Sequence, residues 1–457
     1  MSADNKREHF GSRLAVILAM AGSAIGLGNI WRFPYMVGEH GGAAFIIVYA
    51  VATLLISLPV FIAEVVIGRR SHTNARDAFA RLSHQHPFWR RVGYLSIVIP
   101  LLIVSYYSVI GGWSVEYFFK ACGFSFTKMA PDAASSVFGG FVSSTWAPVL
   151  THLLFLAASL GVVAGGVRAG IEKFSKLTLP LLFVLIVAIM VYSVTLPGAG
   201  AGVRYLLHPD WSELTPRTFA YAMGQSFFSL SLGMGAIITY GSYVSDHENI
   251  LFTSAGTAVS DLLFAILAGF AVMPAVFAAG IEPSAGPGLI FQSVPFVFSK
   301  MGADVPVLSA LMAVFFFVAI IVAAMTSCIS LGEVLVSFLM ERFGLTRVRS
   351  CLAIFLFCGA LGVLCSLSFG PLSGVKVAGM TLFDIFDWLC SNVLLLVMAL
   401  LAVVFTGFFL SRREVHDEFT SRGRYAFNDR VFPLVWFLIK WVAPVAVVII
   451  FFTNFIL

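Results

Sequence analysis

Apolar runs of 20 residues or more recur along the whole chain, separated by short segments that carry most of its charges. About 20 apolar residues is the length that an α-helix needs to cross the hydrocarbon core of a bilayer. Hydrophobic residues make up 59% of the 457 residues and charged residues 11%, a composition that excludes an ordinary soluble domain. We therefore predict an all-α integral membrane protein.

The pattern predicts eleven transmembrane spans, at residues 12–37, 41–68, 91–120, 147–167, 174–196, 216–245, 250–279, 305–341, 348–369, 377–410 and 431–456. Lys and Arg concentrate in the N-terminal tail and after spans two, four, eight and ten. By the positive-inside rule these segments are cytoplasmic. We expect the tail, residues 1–11, to lie in the cytoplasm and, because the number of spans is odd, the C-terminus to lie outside.

Several functional classes do not fit this pattern. The basic residues lie between apolar spans and form no continuous patch, so we expect no nucleic-acid partner. No nucleophile–base pair or cluster of metal-ligating side chains is evident, so we do not expect an enzyme. Among membrane proteins, a sodium channel, a non-transporting sensor and a transporter remain open, as does the oligomeric state.

Glycine interrupts the first span between Gly22 and Asn29. Gly22, Gly26 and Gly28 each weaken a helix by roughly 1 kcal/mol relative to Ala. A broken membrane helix exposes carbonyl oxygens to a cation and amides to a carboxylate. The alternative is close helix packing through small residues.

A second polar interruption lies in span six, from Gln225 to Gly235, where hydroxyls, an amide and two glycines break the apolar run. Spans one and six hold equivalent positions if spans 1–5 and 6–10 form an inverted repeat. Interruptions at matching places in both halves point to a transporter binding site. We predict one transporter domain, with residues 12–196 as the first repeat, 216–410 as the second and 431–456 as an extra span. Spans one and six are then unwound at mid-membrane.

Span eight places the Ala323 carbonyl and the hydroxyls of Thr326 and Ser327 on one helix face. Oxygen donors clustered in this way suit a hard cation such as sodium. The alternative is that these hydroxyls bond the backbone of their own helix, as is common in membrane helices.

Ionisable residues inside the spans are the remaining signals. Asp261 lies in the apolar run of span seven, where a carboxylate is costly and normally faces a partner charge or a cavity. A snorkelling interfacial Asp is the alternative. Arg32 and Asp387 form a candidate pair of opposite charges. Glu64 and Glu333 are predicted to be buried, and either could bond the backbone at a helix break.

The segment from Met20 to Pro34 closely resembles the first-span signature of the neurotransmitter:sodium symporter family, and segments of spans six, eight and ten resemble the same family in the same order. The resemblance implies a bacterial member with the leucine-transporter fold, in the plasma (bacterial inner) membrane. It implies that the chain imports an amino acid with sodium by alternating access.

The resemblance also implies two sodium sites and a substrate site. The first sodium site would comprise Ala24, Asn29, Ser229 and Asp261. The second would comprise Gly22, Ile25, Ala323, Thr326 and Ser327. The substrate would contact Ala24, Leu27, Gly28, Ile103, Tyr107, Phe228, Ser229, Ser231, Met234, Ser327 and Leu331.

Gates and a release path follow from the same resemblance. Arg32, Asp387 and Phe228 would form the outer gate. Arg7, Tyr243 and Glu341 would form the inner gate. Gly170 and Pro180 match the spacing of a helix break in span five, which would admit water to the second sodium site.

Two departures from the family pattern concern chloride and substrate. Asp261 stands where many members have Asn, and Ala265 stands where they place a chloride-binding Ser or an acid. A fixed carboxylate can replace chloride, so we expect two sodium ions and no chloride. The apolar pocket favours large hydrophobic or aromatic L-amino acids, and another small zwitterion remains an alternative.

Overall fold

The structure, a computed structural model, describes residues 10–127, 129, 131–280, 291, 294–301 and 305–456. These residues form helices joined by turns, and the part of the chain so described contains no strand, only an isolated bridge between Val377 and Met380. The predicted all-α fold is confirmed.

Among the residues that the structure describes, nine helices are long and apolar enough to cross a membrane: Ala43–Ser71, Pro87–Cys122, Trp146–Ala164, Val167–Val194, Ile250–Ala279, Pro306–Phe343, Arg347–Leu367, Leu382–Phe409 and Ala426–Thr453. These are spans two to five and seven to eleven of the prediction, with boundaries shifted by a few residues. A pair bent by 51°, Arg13–Ala24 and Gly28–Glu39, forms span one. The predicted span six consists of two shorter helices, Pro216–Ser229 and Ala236–Gly241, so the count of eleven stays a prediction.

In the described part of the chain five further α-helices lie outside the predicted spans, at Ala75–Leu82, Pro131–Ser143, Gly200–Leu207, Val294–Met301 and Arg412–Phe419. The segment 281–300 between spans seven and eight ends in the helix Val294–Met301, and its residues 281–290, 292 and 293 lie outside the described part of the chain. Ser411 caps the last of these helices by accepting from the Glu414 amide, which satisfies one of its free N–H groups.

Small residues allow the longest spans to pack closely in the core. A methyl group on Gly112 of span three would lie 2.5 Å from the His152 amide of span four. A methyl group on Gly68 of span two would lie 2.0 Å from the Ile238 carbonyl of span six. Glycine at such positions lets two helix backbones approach each other closely. Close packing is important in a membrane, because lipid provides no hydrophobic driving force for helix association.

The break in span one falls where the sequence predicts it. The first helix ends at Ala24, and Ile25 adopts an extended conformation with ψ at 102°. The chain resumes as a π-helical turn, Gly28–Arg32, that continues into Phe33–Glu39. Local π turns of this kind occur often at functional sites.

The break in span six spans Leu230–Gly235 and uses the left-handed region of backbone conformation. Ser231, Gly233 and Gly235 have φ values of 54°, 76° and 74°. A methyl group on Gly233 would lie 2.3 Å from the Leu395 carbonyl of span ten, so both the conformation and the contact require glycine here. The Glu64 carboxylate accepts a hydrogen bond of 2.7 Å from the Gly233 amide, which confirms a carboxyl–backbone bond at a helix break.

Span five does not break at the two residues proposed for the release path. Gly170 lies in a π-helical turn, Val167–Glu172, and Pro180 lies inside the continuous helix Lys173–Val194. A methyl group on Gly170 would lie 2.1 Å from the Val162 carbonyl, which gives this glycine a packing role. Its role in release stays a prediction.

Candidate functional site

The first cluster of predicted ligands lies where spans one, six and seven meet. The side-chain amide of Asn29 donates to Asp261 Oδ1 at 2.7 Å and to Ser229 Oγ at 3.0 Å. The Ser229 hydroxyl lies 2.9 and 2.8 Å from the two carboxylate oxygens of Asp261. The structure therefore brings together the three side chains proposed for the first sodium site.

Tyr49 of span two, which the sequence pattern did not indicate, completes this cluster. Its hydroxyl lies 3.3 Å from Asp261 Oδ2. Asp261 is 0% exposed, and within the described ranges no Lys, Arg or His lies within 4.0 Å of its carboxylate. A buried carboxylate that has only neutral donors favours a bound cation, because hydrogen bonds alone offset little of the cost of burying a charge.

The second cluster lies between spans one and eight. Thr326 Oγ1 is 3.1 Å from the Ile25 carbonyl and 2.9 Å from the Ala323 carbonyl. A methyl group on Gly22 would lie 3.6 Å from Thr326 Cβ. Four of the five residues proposed for the second sodium site thus share one small volume at the end of the first helix of span one.

Ser327, the fifth residue, donates to the Ser23 carbonyl at 3.2 Å. Ser23 was not among the predicted site residues. Ser231 of span six donates to the same carbonyl at 2.8 Å, so the buried Ser23 carbonyl joins spans one, six and eight. Both hydroxyls face the unwound backbone, which favours the binding-site interpretation over simple helix packing.

Glycine allows the break in span one to approach its neighbours. A methyl group on Gly26 would lie 2.3 Å from Ser327 Oγ and 3.3 Å from Tyr107 Oη. One on Gly28 would lie 3.1 Å from the Phe228 ring. Any larger residue at Gly26 would therefore displace the hydroxyls proposed to meet sodium and substrate.

The proposed substrate contacts surround this break. Tyr107 Oη accepts from the Leu27 amide at 3.4 Å, and Gln225, a third residue absent from the predicted site, donates to the Gly28 carbonyl at 2.9 Å. The remaining predicted contacts are buried in the same core: Ala24, Ile103, Met234 and Leu331.

On the proposed outer side, Arg32 stacks over Phe228, with its guanidinium carbon 4.9 Å from the ring centroid. Asp387 Oδ1 instead accepts from Ser391 at 3.2 Å. Arg32 and Asp387 form no ion pair within 4.0 Å, so in this conformation the two predicted gate charges are separate. A cavity of about 30 Å³ is lined by Arg32, Phe228 and Asn392, among others.

On the proposed inner side, Arg7 lies outside the described residues. Tyr243 donates to Glu333 at 2.6 Å, and Glu333 forms an ion pair of 2.6 Å with Arg347. Glu341 accepts from the Asn74 side chain at 2.7 Å. Tyr243 and Glu341, predicted to act together with Arg7, thus each have a partner that the sequence did not indicate.

Comparisons with known proteins agree with this architecture. The model of the sodium:neurotransmitter symporter family matches residues 7–136 and 142–457. An "uncharacterized sodium-dependent transporter" of Haemophilus influenzae is 34% identical over 99% of this chain and 100% of its own length. A protein of the same description from Bacillus subtilis is 35% identical over 98% of each chain.

Among solved structures, the crystal structure of MhsT in complex with L-phenylalanine matches with a TM-score of 0.88. The two sequences are 38% identical, and the match covers 98% of this chain and 99% of MhsT. The family match spans almost the entire sequence and agrees with the bent first span and the buried oxygen clusters. This chain therefore belongs to the sodium:neurotransmitter symporter family and is a sodium-dependent membrane transporter.

Proposed function

We propose that this transporter imports a large hydrophobic or aromatic L-amino acid together with two sodium ions, without chloride. One observation carries the proposal. Asp261 is buried where spans one, six and seven meet, and in the described part of the chain only neutral groups contact its carboxylate. A cation at this point neutralises the carboxylate and can also bind the carboxylate of a substrate.

The donor set of each cluster suits sodium. The first ion would be held by the Ala24 carbonyl and the side chains of Asn29, Ser229 and Asp261. The second would be held by the carbonyls of Gly22, Ile25 and Ala323 and the hydroxyls of Thr326 and Ser327. All of these are hard oxygen ligands, which hard cations prefer over nitrogen or sulfur.

Sodium and amino acid would bind cooperatively. A zwitterion needs a cation near its carboxylate, which the first sodium ion would supply, and the Tyr107 hydroxyl would donate a hydrogen bond to the same carboxylate. Its ammonium needs carbonyl oxygens, supplied by the interrupted backbones of spans one and six. Each partner is costly to bury without the other.

Two sodium ions provide enough energy for accumulation. At a membrane potential of 100 mV each entering charge gains about 2.3 kcal/mol, or about 4.6 kcal/mol for two. That energy corresponds to a concentration ratio of the order of a thousandfold. Spans 1, 2, 6 and 7 would rock as a bundle against the remaining spans to expose the site alternately.

The residues around the break support a substrate with an apolar side chain. Ile103, Met234 and Leu331 are buried around the break, and Met packs adaptably against ligands of different shape. The relative MhsT was crystallised with L-phenylalanine, which agrees with an aromatic substrate. No acid lies among the proposed substrate contacts, which disfavours amines that lack a carboxylate.

Localisation belongs to the same proposal. The protein would lie in the bacterial inner membrane with its N-terminus in the cytoplasm. The arginines that support this orientation include Arg69, Arg70, Arg412 and Arg413, which the structure describes at one end of spans two and ten.

Uptake into proteoliposomes tests the proposal. Purified protein is reconstituted and offered the 20 amino acids separately, with sodium chloride, sodium gluconate or potassium chloride outside. We expect accumulation of large apolar amino acids in both sodium salts and none in potassium. Sodium-dependent binding without accumulation would indicate a sensor and would contradict the proposal.

A further inference from the structure

Lys440 occupies the middle of span eleven, Ala426–Thr453, where a charged side chain is costly. Its side chain is half-buried, and its neighbours face outward from the helix bundle. Phe437 is 53% exposed and Trp441 is 55% exposed. In a membrane protein such a surface contacts lipid, so this charge lies at the lipid boundary.

Aromatic rings are the neighbours of the Lys440 ammonium. It lies 5.1 Å from the centroid of Phe408, 5.6 Å from that of Trp436 and 5.7 Å from that of Trp441. Within the described ranges no carboxylate lies within 4.0 Å of it. Ring faces attract a cation but leave all three of its hydrogen-bond donors without an acceptor.

Close backbone packing fixes this arrangement. A methyl group on Gly407 of span ten would lie 3.0 Å from Lys440 Cα, so a larger residue there would push the two backbones apart by a few tenths of an ångström. Each of the two helices is locally π-helical at the contact, at Phe405–Phe409 and Leu438–Val442. Phe408 and Lys440 are therefore held beside each other by the backbones of both spans.

An aromatic strip connects Lys440 to a second cation at the end of the span. Side chains of a helix lean toward its N-terminus, so Lys440 leans toward Trp436, one turn earlier. The Trp436 and Phe432 rings lie 5.9 Å apart, and the Arg412 guanidinium lies 5.8 Å from the Phe432 centroid.

Arg412 borders an open groove of about 460 Å³ whose other lining residues are Arg413, His416, Asp429, Phe432 and Pro433. The acids near this groove have partners of their own: Asp429 lies 2.6 Å from His416, and Asp417 lies 3.9 Å from Arg413. Arg412, like Lys440, forms no ion pair with the described residues. Two cations without acidic partners thus flank one aromatic strip.

We propose that this strip, defined by Arg412, Phe432, Trp436, Lys440, Phe408 and Trp441, binds one anionic phospholipid of the leaflet next to the Arg412 groove. Arg412 would bind the lipid phosphate, and Lys440 would donate to its phosphate or glycerol-ester oxygens. An acyl chain would lie on Phe408 and Trp441. Both cations favour an anionic lipid over a zwitterionic one. The site is separate from the proposed transport site.

Native mass spectrometry of the full-length protein tests this assignment. The protein is taken from vesicles of equal parts phosphatidylglycerol and phosphatidylcholine, and the retained lipid is counted. We expect one phosphatidylglycerol retained in preference to phosphatidylcholine. Lys440→Leu and Arg412→Gln should each reduce that preference about fivefold. Lys440→Arg should preserve it, and Arg349→Gln, which removes an exposed arginine at the start of span nine, should leave it unchanged.

Three results would overturn the assignment. One is equal retention of both lipids by the wild-type protein, a measurement that does not depend on the folding of any variant. Another is undiminished retention in both the Lys440→Leu and Arg412→Gln variants. The third is a dimer that disappears in Lys440→Leu while lipid retention stays constant, because the strip would then bind a second copy of the chain.

Discussion

At the scale of single residues, the Asp261 carboxylate is the feature on which the rest of the site depends. Its oxygens contact the amide of Asn29 and the hydroxyls of Ser229 and Tyr49, all of them neutral groups. The three neighbours come from three different spans. The carboxylate therefore joins these spans, and its charge needs a cation to balance it.

Asp261→Asn tests whether this carboxylate replaces chloride. The amide keeps the size and part of the hydrogen bonding but removes the charge that would stabilise two sodium ions. We expect wild-type uptake to be equal in chloride and gluconate. Uptake by the variant in gluconate should be about tenfold or more below its uptake in chloride. Asp210→Asn, at an exposed turn, serves as the control. Equal uptake by Asp261→Asn in the two anions would exclude this role for Asp261.

Thr326→Val tests the second sodium site. The substitution preserves shape but removes the hydroxyl oxygen that meets the Ile25 and Ala323 carbonyls. Loss of one buried polar ligand costs about 1–3 kcal/mol, so half-maximal uptake should require roughly tenfold more sodium. Ser337→Ala on the same span is the matched control, because its hydroxyl bonds only the Val334 carbonyl of its own helix. An unchanged sodium requirement in Thr326→Val would argue that Thr326 is structural.

At the scale of elements, the interruption of span six is held by a residue of span two. Glu64 Oε1 accepts from the Gly233 amide at 2.7 Å, inside the turn formed by Leu230–Gly235. This amide has left the helical hydrogen-bond pattern and would otherwise be unpaired at a buried position. Glu64 thus stabilises the open backbone that the substrate is proposed to contact.

Glu64→Leu and Glu64→Gln separate the hydrogen bond from the charge. Leu leaves the Gly233 amide without an acceptor, at a cost of about 1–3 kcal/mol, whereas Gln retains an acceptor oxygen. We expect Glu64→Leu to lower the midpoint of thermal unfolding and to weaken amino-acid binding. Glu64→Gln should have smaller effects on both. Similar losses in both variants would show that the negative charge, not the hydrogen bond, matters at this position.

Features that depend on a contiguous stretch of sequence could be predicted. The apolar runs predicted the long helices. The Gly- and Ser-rich segments in spans one and six predicted both helix breaks, because local composition controls helix continuity. Tyr49, Gln225 and the Ser23 carbonyl were missed because their partners lie 197 or more residues away in the sequence. The short helix Arg412–Phe419 was missed because its sequence is polar and has no apolar period.

At the scale of the whole molecule, the segment between spans ten and eleven connects the end of the proposed moving bundle to the remaining spans. Arg69 at the end of span two is 1% exposed and donates to the Glu418 carboxylate at 2.9 Å. The same side chain donates to the Glu248 carbonyl, just before span seven, at 2.8 Å. Arg13 of span one pairs with Glu248 at 3.1 Å. Rocking of spans 1, 2, 6 and 7 therefore has to break these contacts or carry the segment along.

Glu418→Gln tests whether this network holds the inner side closed. Removing the charge leaves the buried Arg69 guanidinium without its carboxylate, a change that is strongly destabilising for a buried ion pair. We expect faster amide hydrogen exchange at residues 245–250 and at the start of span one, with exchange in span three unchanged. Asp417→Asn is the matched control, since this neighbour is half-exposed and lies 3.9 Å from Arg413. Identical exchange in Glu418→Gln and wild type would mean that the network does not restrain the bundle.

The most direct test of the account is equilibrium binding of radiolabelled L-phenylalanine to purified protein in sodium chloride, sodium gluconate and potassium chloride at equal ionic strength. If sodium and substrate offset each other's burial beside Asp261, affinity in the two sodium salts will be equal. Affinity in potassium will then be weaker by about a hundredfold or more. Equal affinity in sodium and potassium would contradict the account, because the amino acid would then bind without the cation on which the proposed site depends.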